Sequence, residues 1–243
     1  MITFYDIPST IPGQAWSPNT WKARYALNFK GIPYQTAWVE YPDIEATCKK
    51  IGALPTSKRA DGSPLYTFPV IHDPSTGTSI AESSLIAEYL DKTYPDAPAL
   101  FPPGTKGLQS AFLAAHRTAL GALWQLIMPV TATILNPPSQ VYFKATKFGP
   151  HLVDLILSGK EKEEQFSKLK EGFDILDELL RKEEGPFVMG ENATFTDLAM
   201  AGYVLWMKKV WGEDSAEWTE VKGWHMGRWS ELLTNLEKYE TIL

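Results

Sequence analysis

The chain carries one cysteine, Cys48, in 243 residues. That excludes an intrachain disulfide and suits a reducing compartment such as the cytosol. Metal-ligand spacing is missing as well, because His72, His116, His151 and His225 stand far apart; no metal is expected. No Gly-rich phosphate loop is present, and Gly149-Pro150 and Gly185-Pro186 are turn punctuation. Positive charge is not in excess. The net charge is −6 and both signs are interleaved, which removes the electrostatic footprint of a nucleic-acid partner. Long apolar runs are also lacking. The longest, Leu120 to Leu135, contains Gln125, Pro129, Thr131 and Thr133 and is too short and too polar for a membrane span. The opening Met1-Ile2-Thr3-Phe4-Tyr5 has neither a basic region nor a long apolar one, so no export signal is expected. Without secretion, the glycosylation pattern Asn192-Ala193-Thr194 means little. These absences describe a cytoplasmic protein with no membrane partner.

What is present describes a folded chain with two cores. The hydrophobic share is 44% and the mean hydropathy −0.19, ordinary for a globular protein, and the length exceeds one compact domain. Ile2 to Ile7 reads as a strand. Trp21 to Lys30 reads as a helix, with Trp21, Tyr25 and Phe29 on one face and Gly31 as its stop. Tyr34 to Tyr41 is a second strand and Asp43 to Ile51 a weaker helix. A polar loop containing Asp61-Gly62 follows, then strands at Phe68 to His72 and Thr78 to Ile80, and a helix over 82–90. The order is βαβαββα. This places one domain at residues 1–93 and a proline-rich linker at 94–105, with Pro95, Pro98, Pro102 and Pro103. Residues 106–243 read as helices alone. Lys106 to Leu135 is a long one, kinked or divided near Pro129. Phe166, Leu169, Phe173, Leu176 and Leu180 give another its buried face. Thr194 and Asp197 form a capping box for a third, running to about Trp211. Trp218, Trp224 and Trp229 belong to a tail folded back over the bundle.

Two short motifs carry chemistry. Pro69 cannot donate to a strand ladder, so it reads as an edge position or a cis bond. In the cis form the N–H and C=O of Phe68 are free to pair with an extended peptide. Ala81-Glu82-Ser83-Ser84 opens the next helix, whose unpaired N–H groups and positive dipole end suit a carboxylate, with the Ser83 hydroxyl as a further donor. Glu82 is the complement for an ammonium group. Singly, Pro69 ends a strand and Glu82 or Ser83 caps a helix; together they describe a γ-glutamyl site.

This order of elements, with Phe68-Pro69, Ala81-Glu82-Ser83 and Thr194-Phe195-Thr196-Asp197, resembles the soluble glutathione transferases over nearly the whole chain. Trp16-Ser17-Pro18-Asn19-Thr20-Trp21-Lys22 and Trp38-Val39-Glu40-Tyr41-Pro42-Asp43-Ile44 most resemble the serine-type fungal A class, relatives of bacterial lignin β-etherases. The resemblance implies an α/β plus all-α fold, with an N-terminal thioredoxin-like βαβαββα domain and a C-terminal helical bundle. It implies glutathione as co-substrate, with Phe68 at the cysteinyl group, Glu82 and Ser83 at the γ-glutamyl end, and structural roles for Pro69, Thr194 and Asp197. It also implies a homodimer.

Ser17 precedes Pro18, a residue favoured at the first helical position, so Ser17 is the expected N-cap, its hydroxyl at a positive helix end. Its expected role is to stabilise a thiolate. Tyr5 is the rival, because some branches of the family use a tyrosine near the end of the first strand; Ser9 and Thr10 share the loop. Cys48 is read as a packing residue. Family architecture places an apolar pocket beside Ser17, with Trp16, Trp124 and Met128 as walls suited to aromatic small molecules. Lys49, Lys50, Lys58 and Arg59 are candidates for the glycine carboxylate. The implied activity is attack of the glutathione thiolate on small electrophiles, aromatic ones foremost, extending to peroxide reduction and aryl-ether cleavage. A non-catalytic carrier of aromatic compounds is the alternative, and a regulatory module with an idle site the third reading.

Overall fold

The computed structural model describes residues 1–148, 155–182 and 184–243; His151 and Gly149-Pro150 lie outside the described residues. Strand β1 (Ile2–Asp6) alternates buried and half-buried positions, as a strand with one covered face does. It pairs in parallel with β2 (Tyr34–Trp38), Phe4 opposite Thr36, and antiparallel with β5 (Val70–Asp73), Phe4 opposite Ile71. Strand β6 (Thr78–Ala81) completes a sheet of order β2-β1-β5-β6. Helix α1 (Pro18–Phe29) links β1 to β2, and α2 (Ile44–Lys50) follows β2. Helix α3 (Ser83–Thr93) packs against α1.

The expected βαβαββα order is therefore present, with three corrections in this half. Strand β2 stops at Trp38: the Val39 N–H makes the last bond to β1, at the Asp6 carbonyl, and residues Tyr41–Asp43 then form a 3-10 turn. The polar loop contains a hairpin, β3 (Ser57–Lys58) with β4 (Pro64–Leu65); two residues per strand are too few to show a period of two. Leu85, expected on the buried stripe of α3, is exposed, and Ala87 takes its place beside Ile86 and Leu90.

The second half is helical: α4 (Lys106–Ala119), α5 (Leu123–Thr131), α6 (Pro137–Phe143), α7 (Gly159–Leu180), α8 (Phe195–Trp211), α9 (Ala216–Gly223) and α10 (Arg228–Leu236). The long helix expected over Lys106 to Leu135 divides at Leu120-Gly121-Ala122 and not at Pro129, which sits inside α5 two residues before its end. A proline this late removes one internal hydrogen bond and helps stop the helix, without opening the earlier break. Helix α7 buries Phe166, Leu169, Phe173, Leu176 and Leu180, and the tail buries Trp218, Trp224 and Trp229. The capping box is formed: Asp197 accepts from the Thr194 N–H and hydroxyl, each at 2.8 Å, and from the Val188 N–H at 2.8 Å.

Charged side chains and a glycine join the halves. Asp91 accepts from the N–H groups of Leu100 and Phe101, while Lys30 bridges Asp91 and the Pro98 carbonyl. Helices α1 and α8 form the most extensive helix pair. A Cβ on Gly202 of α8 would stand 2.9 Å from the Pro18 carbonyl oxygen, so only glycine allows this approach. Gly202→Ala is expected to cost about 1–3 kcal/mol by overpacking, lowering the melting temperature by about 3–10 °C. An unchanged thermal melt would show that the crossing is slack.

Candidate active site

Two adjoining chambers meet where α1 begins. The first, of about 670 Å³, is lined by Ser17, Phe68, Trp124 and Met128 among others. The second, of about 500 Å³, is lined by Glu82, Ser83 and Ser84 from the start of α3, by Lys22 of α1, and by Arg117 and Tyr203 from the helical half. Asn19, Thr67, Phe68 and Trp124 line both, so the two form one continuous site.

Ser17 occupies the N-cap position of α1 with an extended backbone, but its side chain makes no capping hydrogen bond. Its carbonyl, and not its hydroxyl, serves the helix, accepting from the Trp21 N–H at 3.0 Å and the Thr20 hydroxyl at 3.2 Å. Pro18 at the first helical position has no N–H to satisfy. Ser17 is the N-cap residue as expected, and its Oγ, in a chamber wall, has no hydrogen-bond partner among the described residues. The other loop hydroxyls are engaged, since Ser9 donates to the Gln14 carbonyl at 2.8 Å and Thr10 to the Ile134 carbonyl at 2.9 Å. Tyr5 lines neither chamber, and burial raises its phenol pKa.

The Phe68-Pro69 bond is cis, and Phe68 precedes the ladder of β5, whose pairs begin at Val70. Glu82 turns the chain from β6 into α3 at φ 80° and ψ 123°. That conformation is sparsely populated for a residue with a Cβ and costs about 1–3 kcal/mol; such strain gathers at ligand sites. Its effect is to bring Glu82 and the first residues of α3, Ser83 and Ser84, to the same chamber.

Of the expected walls, Trp124 and Met128 line the chamber that holds Ser17. Trp16 does not: it is 3% exposed and belongs to the core, lining neither chamber. Among the four candidate cations, Arg59 alone borders the site, where it pairs with Glu45 at 3.1 Å. Cys48 is buried, and burial pushes its thiol up to about 11, an inert packing residue. Among the described residues, no acidic, histidine and cysteine side chains gather as a metal site, and no helix is long and apolar enough to cross a membrane.

Sequence reading missed Asn19, Lys22, Arg117 and Tyr203. Asn19 and Lys22 were findable, being three apart on α1 and hence on one face; Lys22 Nζ donates to Asn19 Oδ1 at 2.9 Å. It also stands 4.7 Å from the centre of the Tyr203 ring. Arg117 and Tyr203 come from α4 and α8, and nothing local in their helices marks them. Burial lowers Lys22 to about 8, with Glu82 pulling upward and Arg117 pushing downward. Burial, with Lys22 nearby, lowers His116 to about 3, so this imidazole is neutral at physiological pH.

The residues at 16–93 match the glutathione S-transferase N-terminal domain, and those at 107–239 match the C-terminal domain. The chain belongs to the glutathione S-transferase family. It is 47% identical to a glutathione S-transferase of Ceriporiopsis subvermispora, whose structure contains glutathione, with a TM-score of 0.94 over 100% of this chain and 98% of that one. Glutathione transferase GSTFuA3 from Phanerochaete chrysosporium is 41% identical, with a TM-score of 0.92 over 100% and 98%. A glutathione S-transferase-like protein from Aspergillus flavus, ustS, is 31% identical over 90% of this chain and 83% of its own length. The likeness to fungal A-class transferases is thus borne out, as are the thioredoxin-like N-terminal domain and the helical C-terminal one.

The transferase's Lys22 yields a test of how dry the second chamber is. Its folded pKa of about 8 lies below the ordinary 10.5, so between these values the unfolded chain holds a proton that the fold has lost. Stability then rises with pH across that window. It is fully present above 10.5 and lost as the pH falls through about 8. Denaturant unfolding of the wild type minus Lys22→Met is expected to show this rise; a flat difference would mean that water reaches the amine freely.

Proposed function

We propose that the chain binds glutathione across the two chambers, holds its thiol as a thiolate against Ser17, and directs the sulfur at a small electrophile in the first chamber. The observation that carries this reading is the uncommitted Ser17 hydroxyl in the wall of a chamber that shares Phe68 with the chamber of Glu82 and Ser83. Glu82 receives the γ-glutamyl ammonium, and Ser83 with the first N–H groups of α3 receives the α-carboxylate. The Phe68 main chain pairs with the cysteinyl residue. Arg59 meets the glycine carboxylate.

The thiol proton leaves to solvent and the Ser17 O–H donates to the sulfur. A free thiol of pKa ~8.5 is roughly 3% ionised at pH 7, and a value two units lower gives about 75%. The sulfur's electron pair then forms the new S–C bond and the leaving group departs with its own pair. Walls from Tyr41, Tyr66, Trp124, Tyr142 and Phe143 favour aromatic electrophiles. Aryl-ether cleavage and hydroperoxide reduction start from the same thiolate and belong in the assay panel. A cytoplasmic homodimer is part of this reading, supported by exposed Leu85 and Leu108 on α3 and α4, helices joined by the Lys106–Glu88 ion pair at 2.7 Å; light scattering tests it.

Ser17→Ala is expected to raise the pKa of bound glutathione by about one unit or more and to lower turnover of an aryl halide about tenfold near pH 6.5. Thiolate absorbance measured against pH checks it. An unchanged pKa would remove Ser17 from the chemistry.

A further inference from the structure

The segment Val39-Glu40-Tyr41-Pro42, between β2 and α2, adjoins neither Ser17 nor the glutathione-binding residues in sequence, yet it reaches across the molecule. The Glu40 carboxylate accepts from Asn136 Nδ2 at 2.8 Å through one oxygen, and from the Ser139 hydroxyl through the other. Ser139 Oγ in turn accepts from the Tyr41 N–H at 2.9 Å. Ser139 is fully buried. Asn136 is the N-cap residue of α6, so all three bonds run between the sheet domain and the first turn of one helix of the bundle.

What this bond set holds is a wall. On α6, Tyr142 and Phe143 stand three and four residues after Ser139, on the same helical face. The Tyr41 ring stacks on Tyr142, with centroids 5.9 Å apart and planes 10° from parallel, and lies 5.5 Å from Phe143. Tyr41, Pro42, Tyr142 and Phe143 all line the chamber of Ser17. One side of that chamber is therefore contributed half by each domain, and its seam is closed by Glu40.

We propose that Glu40 is a positioning residue for the second substrate: through Asn136 and Ser139 it fixes the Tyr41–Tyr142 wall and so sets which electrophile fits beside the thiolate. This rests on the reading that the first chamber takes the electrophile. The carboxylate is suited to the task because it accepts two donors at once. A glutamine keeps one acceptor and carries no charge, so one of the two donors loses its acceptor and the bond that remains is no longer charge-assisted.

The test compares a bulky aryl halide, which must touch the wall, with iodoacetamide, which is too small to do so. In Glu40→Gln, kcat/KM for the aryl halide is expected to fall about tenfold, the loss of one charge-assisted bond. The rate with iodoacetamide and the KM for glutathione should stay within about twofold of wild type. Ser139→Ala breaks the same set from the other side and should give the same split, with the double variant less than additive. Equal losses for both electrophiles, or a parallel rise in the glutathione KM, would make the bonds interdomain glue only and overturn the proposal. An unchanged ratio would also overturn it, and Met128→Ala then separates the causes. If Met128→Ala shifts the aryl-halide KM, the chamber reading stands and the role of Glu40 alone falls; if it does not, both fall.

Discussion

The approach of α8 to the first residue of α1 is the constraint on which the site depends. Gly202 stands against the Pro18 carbonyl with no room for a Cβ, and Ser17 is the residue before Pro18. The same α8 sends Phe195, Ala199 and Tyr203 into the second chamber, while α1 sends Asn19 and Lys22. One crossing therefore sets the position of Ser17 and the width of the chamber beside it. The capping box explains why α8 can bear this role. Asp197 is buried with three donors on its carboxylate, and the helix begins at a defined residue, which fixes the register of every contact that follows.

On its other face α1 is held by a fully buried ion pair. Arg24 donates to Asp6 at 2.7 Å and to the hydroxyls of Tyr34 and Thr36 at 3.2 and 3.1 Å. Buried pairs add little net stability over an apolar replacement, whereas losing one partner alone costs about 3–5 kcal/mol. The role of this pair is thus better understood as registration than as strength. Asp6 ends β1, its carboxylate accepts from the Ile7 N–H, and its carbonyl accepts from Val39. The loops toward Ser17 and toward Glu40 both leave from this point, so Arg24 ties the two walls of the first chamber to one helix.

How much of this was legible in the sequence depended on the range of the interaction. Pro69, Glu82-Ser83 and Thr194-Asp197 are local signals, and the structure shows the cis bond, the helix start and the capping box they announce. Ser17 is legible as the N-cap through Pro18, and the structure places it there; that its side chain makes no capping bond has no local signal. Trp16 was expected in the pocket on the strength of its type and its neighbour; adjacent side chains on an extended segment point to opposite sides, and Trp16 faces the core. Arg117, Tyr203 and Tyr142 were invisible because helices far apart in sequence bring them together. The long helix divides at Leu120-Gly121-Ala122, where a lone glycine is a weaker local break signal than Pro129 inside α5.

On the proposed reading, the Ser17 hydroxyl and the start of α1 share the work of thiolate formation. Lowering a thiol by two units requires ~2.7 kcal/mol. A helix terminus supplies about 0.3–1 kcal/mol, and a hydrogen bond to a charged group about 1.5–3. The dipole alone falls short, and the Ser17 O–H as donor closes the difference. Capping would use a lone pair of Ser17 Oγ and not its O–H, so this donor is open to the sulfur whether or not the helix is capped. Pro18 serves twice: its fixed φ suits the first helical position, and its own carbonyl is the atom against which Gly202 packs. The chemistry and the packing of the two domains thus meet in the Ser17-Pro18 pair.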